Sequence, residues 1–147
     1  MLINKLIEAS QAGVHIDMVV RGICCLRAGV PDETDNIHII SIVGRYLEHS
    51  RIYILGRGER ARYYIGSADW MTRSTLRRVE IAAPVTAPAL KARLQHIFNT
   101  MLADNSNARV QQPDGSYVRR MPGADAVDCQ AQFYEEAYQA NVHSDLK

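Results

Sequence analysis

The first third of the chain changes from helical to strand spacing of its hydrophobic residues. Residues 2–12 carry apolar side chains three and four positions apart, and Gly13 follows as a helix C-cap. Residues 14–20 alternate apolar and polar positions, which predicts a strand. Residues 37–43 are apolar almost throughout, so we expect a strand that is buried on both faces. A polar loop over 27–36 separates the two strands.

The middle of the chain has the pattern of short strands joined by turns. Gly56 and Gly58 lie between two apolar runs and predict a hairpin. Pro84 is expected to close the last strand of this region, because proline cannot donate a ladder hydrogen bond. The predicted elements are a helical turn over 44–49 and strands over 51–55, 62–67 and 77–82.

The last third alternates helix, hairpin and helix. Pro88 opens a segment with helical spacing of apolar residues as far as Met101. A turn over 112–115 joins two short strands, residues 128–140 predict a terminal helix, and residues 143–147 a frayed tail. Helices that alternate with strands predict an α/β fold with a mixed β-sheet flanked by helices, in one domain over 1–147.

Composition indicates a soluble globular protein. The chain has 147 residues, a formal net charge of +1 and no apolar run near twenty residues, so no membrane span and a cytoplasmic location are expected. Cys24 and Cys25 lie in an apolar run, which is typical of reduced, buried thiols. No metal site is expected, because no cysteine or histidine partners stand at ligand spacing. The remaining histidines are interpreted as surface or packing residues: His15, His38, His96 and His143.

Arginine is concentrated in one part of the chain. Eight arginines and no lysine occur over 45–78. Arginine without lysine favours planar, bidentate recognition of oxyanions over a diffuse positive surface. A strand surface that carries solubilising arginines fits the same composition, so composition alone leaves both interpretations open.

Two short motifs in this region suit a phosphoryl group. His49 and Arg51 stand at i and i+2 at the start of a predicted strand, where extended backbone projects both side chains to one face. The imidazole offers a nucleophile or proton donor, and the guanidinium offers a bidentate clamp. The hairpin returns Ser67 and Asp69 to the same sheet edge, where we expect both to contact the phosphate. Asp69 would also fix the histidine tautomer, or would instead cap the next turn.

These motifs resemble half of the phospholipase D signature, with Arg51 in place of lysine and Asp69 in place of asparagine. Four longer blocks extend the similarity: ASQAGV at 9–14, VRGICCLR at 20–27, IVGRYLEHSRIY at 42–53 and SADWMTR at 67–73. Together they resemble the polyphosphate kinases of the first type, a phospholipase-D-like family. The resemblance covers about residues 5–104 and corresponds to the last of that family's four domains.

The resemblance implies reversible transfer of the terminal phosphate of ATP to polyphosphate with Mg²⁺, whose ligands are expected mostly outside this chain. It implies that Arg21 contacts the nucleotide and that His49 is the second essential histidine. The phosphorylated histidine belongs to the preceding domain, so the isolated chain is expected to be inactive. Ser74 and Leu76 replace family residues, which leaves the roles of the neighbouring arginines unassigned.

The expected ligands are ATP, ADP and inorganic polyphosphate, with no nucleic acid. The expected partners are the N-terminal and first catalytic domains of the same enzyme, and a face that those domains cover would favour a homo-oligomer in their absence. Two alternatives stay open at this point. One is a phosphodiesterase half-site of phospholipase D type, and the other is a non-catalytic module that binds polyphosphate or nucleotide.

Overall fold

The computed structural model describes residues 2–123 and 125–144. The chain divides into two compact units: the first reaches to Leu47 and resumes at Thr100, and the second is Glu48–Asn99. The elements in chain order are α1 (Leu2–Gln11), β1 (Ile16–Val19), β2 (Ile37–Ile42), β3 (Ile52–Leu55), β4 (Arg62–Gly66), α2 (Thr72–Arg77), β5 (Ala82–Val85), α3 (Pro88–Ala103), β6 (Ala108–Gln111), β7 (Tyr117–Arg119) and α4 (Cys129–Ser144).

The first unit contains a four-stranded sheet in the order β1-β2-β6-β7. The pair β1–β2 is parallel, whereas β2–β6 and β6–β7 are antiparallel, so the predicted mixed sheet is confirmed. Every residue of β2 except His38 is buried. Ile37 and Ile39 form the core with two residues of the preceding loop, and α1 covers this core with Ile3, Leu6 and Ile7. The α/β class predicted from hydrophobic spacing is therefore correct.

Local signals fix the ends of several elements in the first unit. Gly13 has a φ of 82°, and its N–H donates to the carbonyl of Ser10 at 2.8 Å, so α1 ends as its C-cap glycine predicts. Gly115 has a φ of 88° in the predicted turn between β6 and β7. Asp128 caps α4, because its Oδ1 accepts the N–H of Gln130 and of Ala131, both at 3.0 Å.

Asp104 is a buried carboxylate of the first unit that accepts four backbone hydrogen bonds. Its side chain is 0% exposed. Oδ1 accepts three backbone N–H groups, from Ser106 at 3.1 Å, Asn107 at 2.8 Å and Ala108 at 2.9 Å. Oδ2 accepts the N–H of Cys129 at 2.9 Å. One carboxylate therefore joins the end of α3, the start of β6 and the start of α4.

The second unit contains an antiparallel sheet in the order β3-β4-β5. The predicted hairpin between β3 and β4 is confirmed, with Ile52 opposite Ile65. Gly56 at a φ of 87° and Gly58 at a φ of 58° supply its left-handed turn positions.

Three local predictions for residues 44–85 are wrong. Residues 44–46 form a bend and residues 47–49 have no regular structure, so the predicted helical turn is absent. The strand predicted over 77–82 is absent: residues 78–81 connect α2, which ends at Arg77, to β5, which begins at Ala82. Pro84 lies inside β5, which an edge strand tolerates because one side of its backbone has no strand to pair with.

The cysteine and C-terminal predictions are corrected in part. Cys25 is exposed and Cys24 is partly buried, whereas Cys129 is fully buried, and no disulfide joins the three. The terminal helix α4 runs to Ser144, beyond the predicted end, and the rest of the predicted tail, 145–147, lies outside the described residues. Among the described residues, no helix combines the length and apolar character that a membrane crossing requires.

Candidate functional site

The hairpin of the second unit brings the two predicted motifs to one end of its sheet. Residues 49–51 precede β3, and residues 67–69 follow its antiparallel partner β4. The N–H of Gly66 donates to the carbonyl of Arg51 at 2.9 Å, which continues the pairing beyond the last strand residues. The four predicted residues of this unit therefore belong to two adjacent backbone segments: His49, Arg51, Ser67 and Asp69.

Arg51 joins these two segments through its guanidinium. Nε lies 3.2 Å and Nη2 lies 3.0 Å from Oδ1 of Asp69. Nη1 donates to the backbone carbonyl of His49 at 2.8 Å. The Arg51 side chain is only 23% exposed, so this charge-assisted arrangement is partly shielded from water. The guanidinium that we expected to clamp a phosphate is thus engaged mainly by protein oxygens.

His49 is placed by its backbone while its side chain stays accessible. The residue is exposed, and the Arg51 contact is made to its carbonyl oxygen. Asp69 pairs with Arg51, and Arg51 in turn donates to the carbonyl of His49, so the arginine links the carboxylate to the histidine segment. An exposed imidazole on a fixed backbone is available to a ligand for proton transfer or charge stabilisation.

Ser67 is tied to the segment before β5. Its Oγ donates to Oε2 of Glu80 and accepts the N–H of Ile81 at 3.0 Å. The N–H of Ser67 also donates to the carbonyl of Ile81 at 3.0 Å. Glu80 was not among the predicted site residues. The sequence offers one indication of it, because Glu80 is the single acidic residue between Arg78 and the start of β5.

Gly66 is required by a close approach of Tyr53. A Cβ at Gly66 would lie 2.8 Å from Cε2 of Tyr53 and 3.3 Å from the carbonyl oxygen of Ile81. The Tyr53 ring cannot easily move, because its hydroxyl donates to the carbonyl of Ala68 at 3.0 Å and its face stacks on Trp70 at 5.5 Å. Burial raises the pKa of Tyr53 above its ordinary value. The glycine of the Gly-Ser-x-Asp motif is therefore structural.

We expect Gly66→Ala to lower the free energy of unfolding by about 1–3 kcal/mol, because the added methyl group overpacks against the Tyr53 ring and a backbone oxygen. Urea denaturation of the 147-residue chain, followed by circular dichroism, measures the change. Gly123→Ala is the matched control, since a Cβ there meets no atom within 4 Å. Equal stability of the two variants would contradict the role assigned to Gly66.

The structure also describes the other arginines that the sequence analysis names. Arg21 belongs to the first unit, where it follows β1 and is partly buried. Arg73 and Arg77 lie on α2 and Arg78 follows it, all three exposed. The structure thus connects Arg51 with Asp69 and with the His49 backbone, and it connects Ser67 with Glu80.

Comparisons with known proteins cover nearly the whole chain. The family "Polyphosphate kinase C-terminal domain 2" matches residues 1–132. A polyphosphate kinase of Synechocystis is 54% identical over 123 residues, which are 84% of this chain and 17% of that protein. A polyphosphate kinase of Bacillus anthracis is 48% identical over 139 residues, or 94% of this chain and 20% of that protein.

A solved structure agrees with these relatives. The crystal structure of polyphosphate kinase from Porphyromonas gingivalis matches with a TM-score of 0.88 and 36% identity, over 95% of this chain and 22% of that chain. The chain spans about a fifth of the length of the curated relatives it matches.

Proposed function

The chain belongs to the family of polyphosphate kinase C-terminal domains, and we propose on this basis that it serves as the last, phospholipase-D-like domain of an ATP:polyphosphate phosphotransferase. The observation that carries the proposal is the Arg51 guanidinium, which is paired with Asp69 and donates to the carbonyl of His49, while His49 itself stays exposed. Such a histidine suits a reaction in which charge develops on phosphoryl oxygens and a leaving phosphate.

The proposed division of roles follows from the contacts. In the complete enzyme, a nitrogen of the histidine in the preceding domain would bond to the γ-phosphorus of ATP as the bond from that phosphorus to the bridging oxygen of ADP breaks. An oxygen of polyphosphate would then bond to the same phosphorus as the phosphorus–nitrogen bond breaks. His49 donates a proton or hydrogen bond to the phosphoryl oxygens, and Arg21 neutralises the nucleotide phosphates. Arg51 positions His49 and adds its positive charge to the site, and Ser67 and Asp69 hold the second segment in place.

Magnesium is proposed to arrive with ATP and to take its ligands mostly outside this chain. Mg²⁺ requires a near-octahedral set of oxygen ligands. The two carboxylates of the candidate site do not offer such a set, because Asp69 is paired with Arg51 and Glu80 accepts from Ser67. We further propose that the enzyme works in the cytoplasm, where ATP is supplied.

Titration of the 147-residue chain with ATP, ADP and polyphosphate, with and without Mg²⁺, tests the binding part of this proposal. We expect Arg21→Ala to weaken ATP binding at least tenfold, because a guanidinium–phosphate contact is charge-assisted. Arg57→Ala, on the exposed β3–β4 turn, is the matched control and should bind as the parent does. Equal affinity of both variants for ATP would contradict the proposal that Arg21 binds the nucleotide.

The parent chain and its His49→Ala variant distinguish the two alternative functions. A non-catalytic binding module predicts salt-sensitive polyphosphate binding that His49→Ala leaves unchanged. A phosphodiesterase half-site predicts hydrolysis of a chromogenic phosphodiester that His49→Ala abolishes. Hydrolysis of the phosphodiester is not expected to exceed background if the chain serves only within a complete kinase subunit.

A further inference from the structure

Two histidines and one aspartate of the first unit lie side by side on its sheet. His15 directly precedes β1 and Asp17 is two residues further along, so both project to the same face. The parallel register of β1 and β2 places Asp17 opposite His38. Ile16 and Met18 project to the other face, where they pack on the core. His15 and His38 are exposed, as their interpretation as surface residues predicts, but they cluster with Asp17, which the sequence analysis did not expect.

The three side chains are close enough to share one ion. Nε2 of His15 lies 2.9 Å from Oδ2 of Asp17, and Nδ1 of His38 lies 3.8 Å from Oδ1 of the same carboxylate. One ligand atom from each residue lies within 4.8 Å of the other two. Ligand atoms at about 2.1 Å from a tetrahedral ion are about 3.4 Å apart, so small side-chain rotations would complete the geometry.

Mutual hydrogen bonding does not account for the whole cluster. The carboxylate of Asp17 meets His15 at hydrogen-bond distance, but its distance to His38 is too long for a hydrogen bond. The two imidazole rings nevertheless face each other with centroids 5.0 Å apart and an interplanar angle of 41°. A cation between the rings and the carboxylate would satisfy all three groups at once.

The surroundings allow an ion to enter and keep a position open. The side chains of His15 and His38 are 42% and 60% exposed, and the cluster borders an open cavity of about 310 Å³. Arg120 also lines this cavity, but its Nη1 donates to the carbonyls of Leu102 at 2.6 Å and of Asp104 at 3.0 Å. Its fixed positive charge favours water or an anion as the remaining ligand.

We propose that His15, Asp17 and His38 bind one divalent transition-metal ion of the zinc class. Two imidazoles with one carboxylate suit Zn²⁺, Cu²⁺ or Ni²⁺, whereas Mg²⁺ and Ca²⁺ prefer oxygen ligands. Three protein ligands leave at least one coordination position to solvent, as in zinc sites that are not purely structural. The ion would join the edge strand β1 to β2 and so stabilise the first unit. This site does not depend on the proposed phosphoryl-transfer function.

Calorimetric titration of the 147-residue chain with ZnCl₂, in a buffer that does not bind zinc, tests the proposal. All samples carry Cys25→Ser, because an exposed thiol would compete for the metal. We expect one ion per chain, at least tenfold weaker binding in His15→Ala and in His38→Ala, and unchanged binding in the control His96→Ala. Zinc should also raise the thermal midpoint of the parent and leave that of His38→Ala unchanged.

Asp17→Asn provides a second variant that keeps the shape of the side chain, and circular dichroism verifies that every variant is folded. Asp17→Asn should bind zinc at least tenfold more weakly than the parent. Binding that is equally tight in the parent, His15→Ala and His38→Ala would overturn the proposal, as would binding lost only in His96→Ala. Millimolar MgCl₂ should not displace the zinc, and displacement would place the site in the oxygen-ligand class instead.

Discussion

Alanine at His49 is expected to lower polyphosphate synthesis from ATP by about 10²- to 10⁴-fold in a complete subunit that carries this chain as its last domain. That range is typical for the loss of a positioned acid–base group. The effect should fall mainly on kcat, because Arg21 is proposed to supply nucleotide binding. His96→Ala, on the exposed side of α3, is the matched control and should retain the parent rate. Steady-state assays over a range of ATP concentrations separate kcat from KM.

A glutamine at His49 distinguishes the two chemical roles that remain for this residue. Glutamine donates a hydrogen bond but cannot transfer a proton. Partial recovery of the rate in His49→Gln would indicate stabilisation of phosphoryl charge, and a rate as low as that of His49→Ala would indicate proton transfer. The 147-residue chain alone should show no synthesis, because phosphoryl transfer depends on positioning by a complete site. Robust synthesis by this chain, or a full rate in His49→Ala, would contradict the proposed function.

Hydrophobic spacing predicts the first unit well because its main elements bury one continuous face. The predicted helix over 2–12 and strands over 14–20 and 37–43 each agree with α1, β1 and β2 to within two residues at either end. The region from Thr72 to Val85 was mispredicted because local pattern does not decide it. Ser74 is the buried residue of α2. The position of β5 is set by its pairing with β4, in which Tyr64 lies opposite Pro84. Such long-range contacts override strand propensity.

In the candidate site, too, local sequence pattern predicts the hairpin, whereas tertiary contacts decide which side chains pair. The hairpin signal was sufficient to bring the His49 and Ser67 segments together. The choice of partners was not predictable, because Asp69 pairs with Arg51 and Ser67 with Glu80 through backbone geometry beyond the strand ends. The cluster of His15, Asp17 and His38 requires the register between two strands some twenty residues apart, which spacing along one strand does not reveal.

Asp104→Ala is expected to lower the free energy of unfolding of the first unit by about 3 kcal/mol or more. The substitution removes a fully buried carboxylate and leaves four backbone N–H groups without their acceptor. Each hydrogen bond to a buried charge contributes about 1.5–3 kcal/mol, and partial rescue by water reduces the sum. Asp104→Asn should cost less than alanine, because its carbonyl keeps the Oδ1 contacts while its amide group faces the N–H of Cys129. Urea denaturation measures all three proteins.

The pH dependence of stability gives Asp104 a signature that a packing defect would not produce. Burial alone would raise the pKa of Asp104, but the N–H groups of Cys129, Asn107 and Ala108 outweigh it and lower the pKa below its ordinary value. A carboxyl whose pKa is lowered by folding stabilises the fold above its unfolded pKa of about 4, and this stabilisation is lost as the pH falls through the lower folded value. The parent should therefore lose stability below about pH 4 more steeply than Asp104→Asn.

Asp114→Asn, on an exposed turn, is the control and should change stability far less than Asp104→Asn at neutral pH. Parallel pH profiles for the parent and Asp104→Asn would show that the buried carboxylate is not the group that couples acid to unfolding.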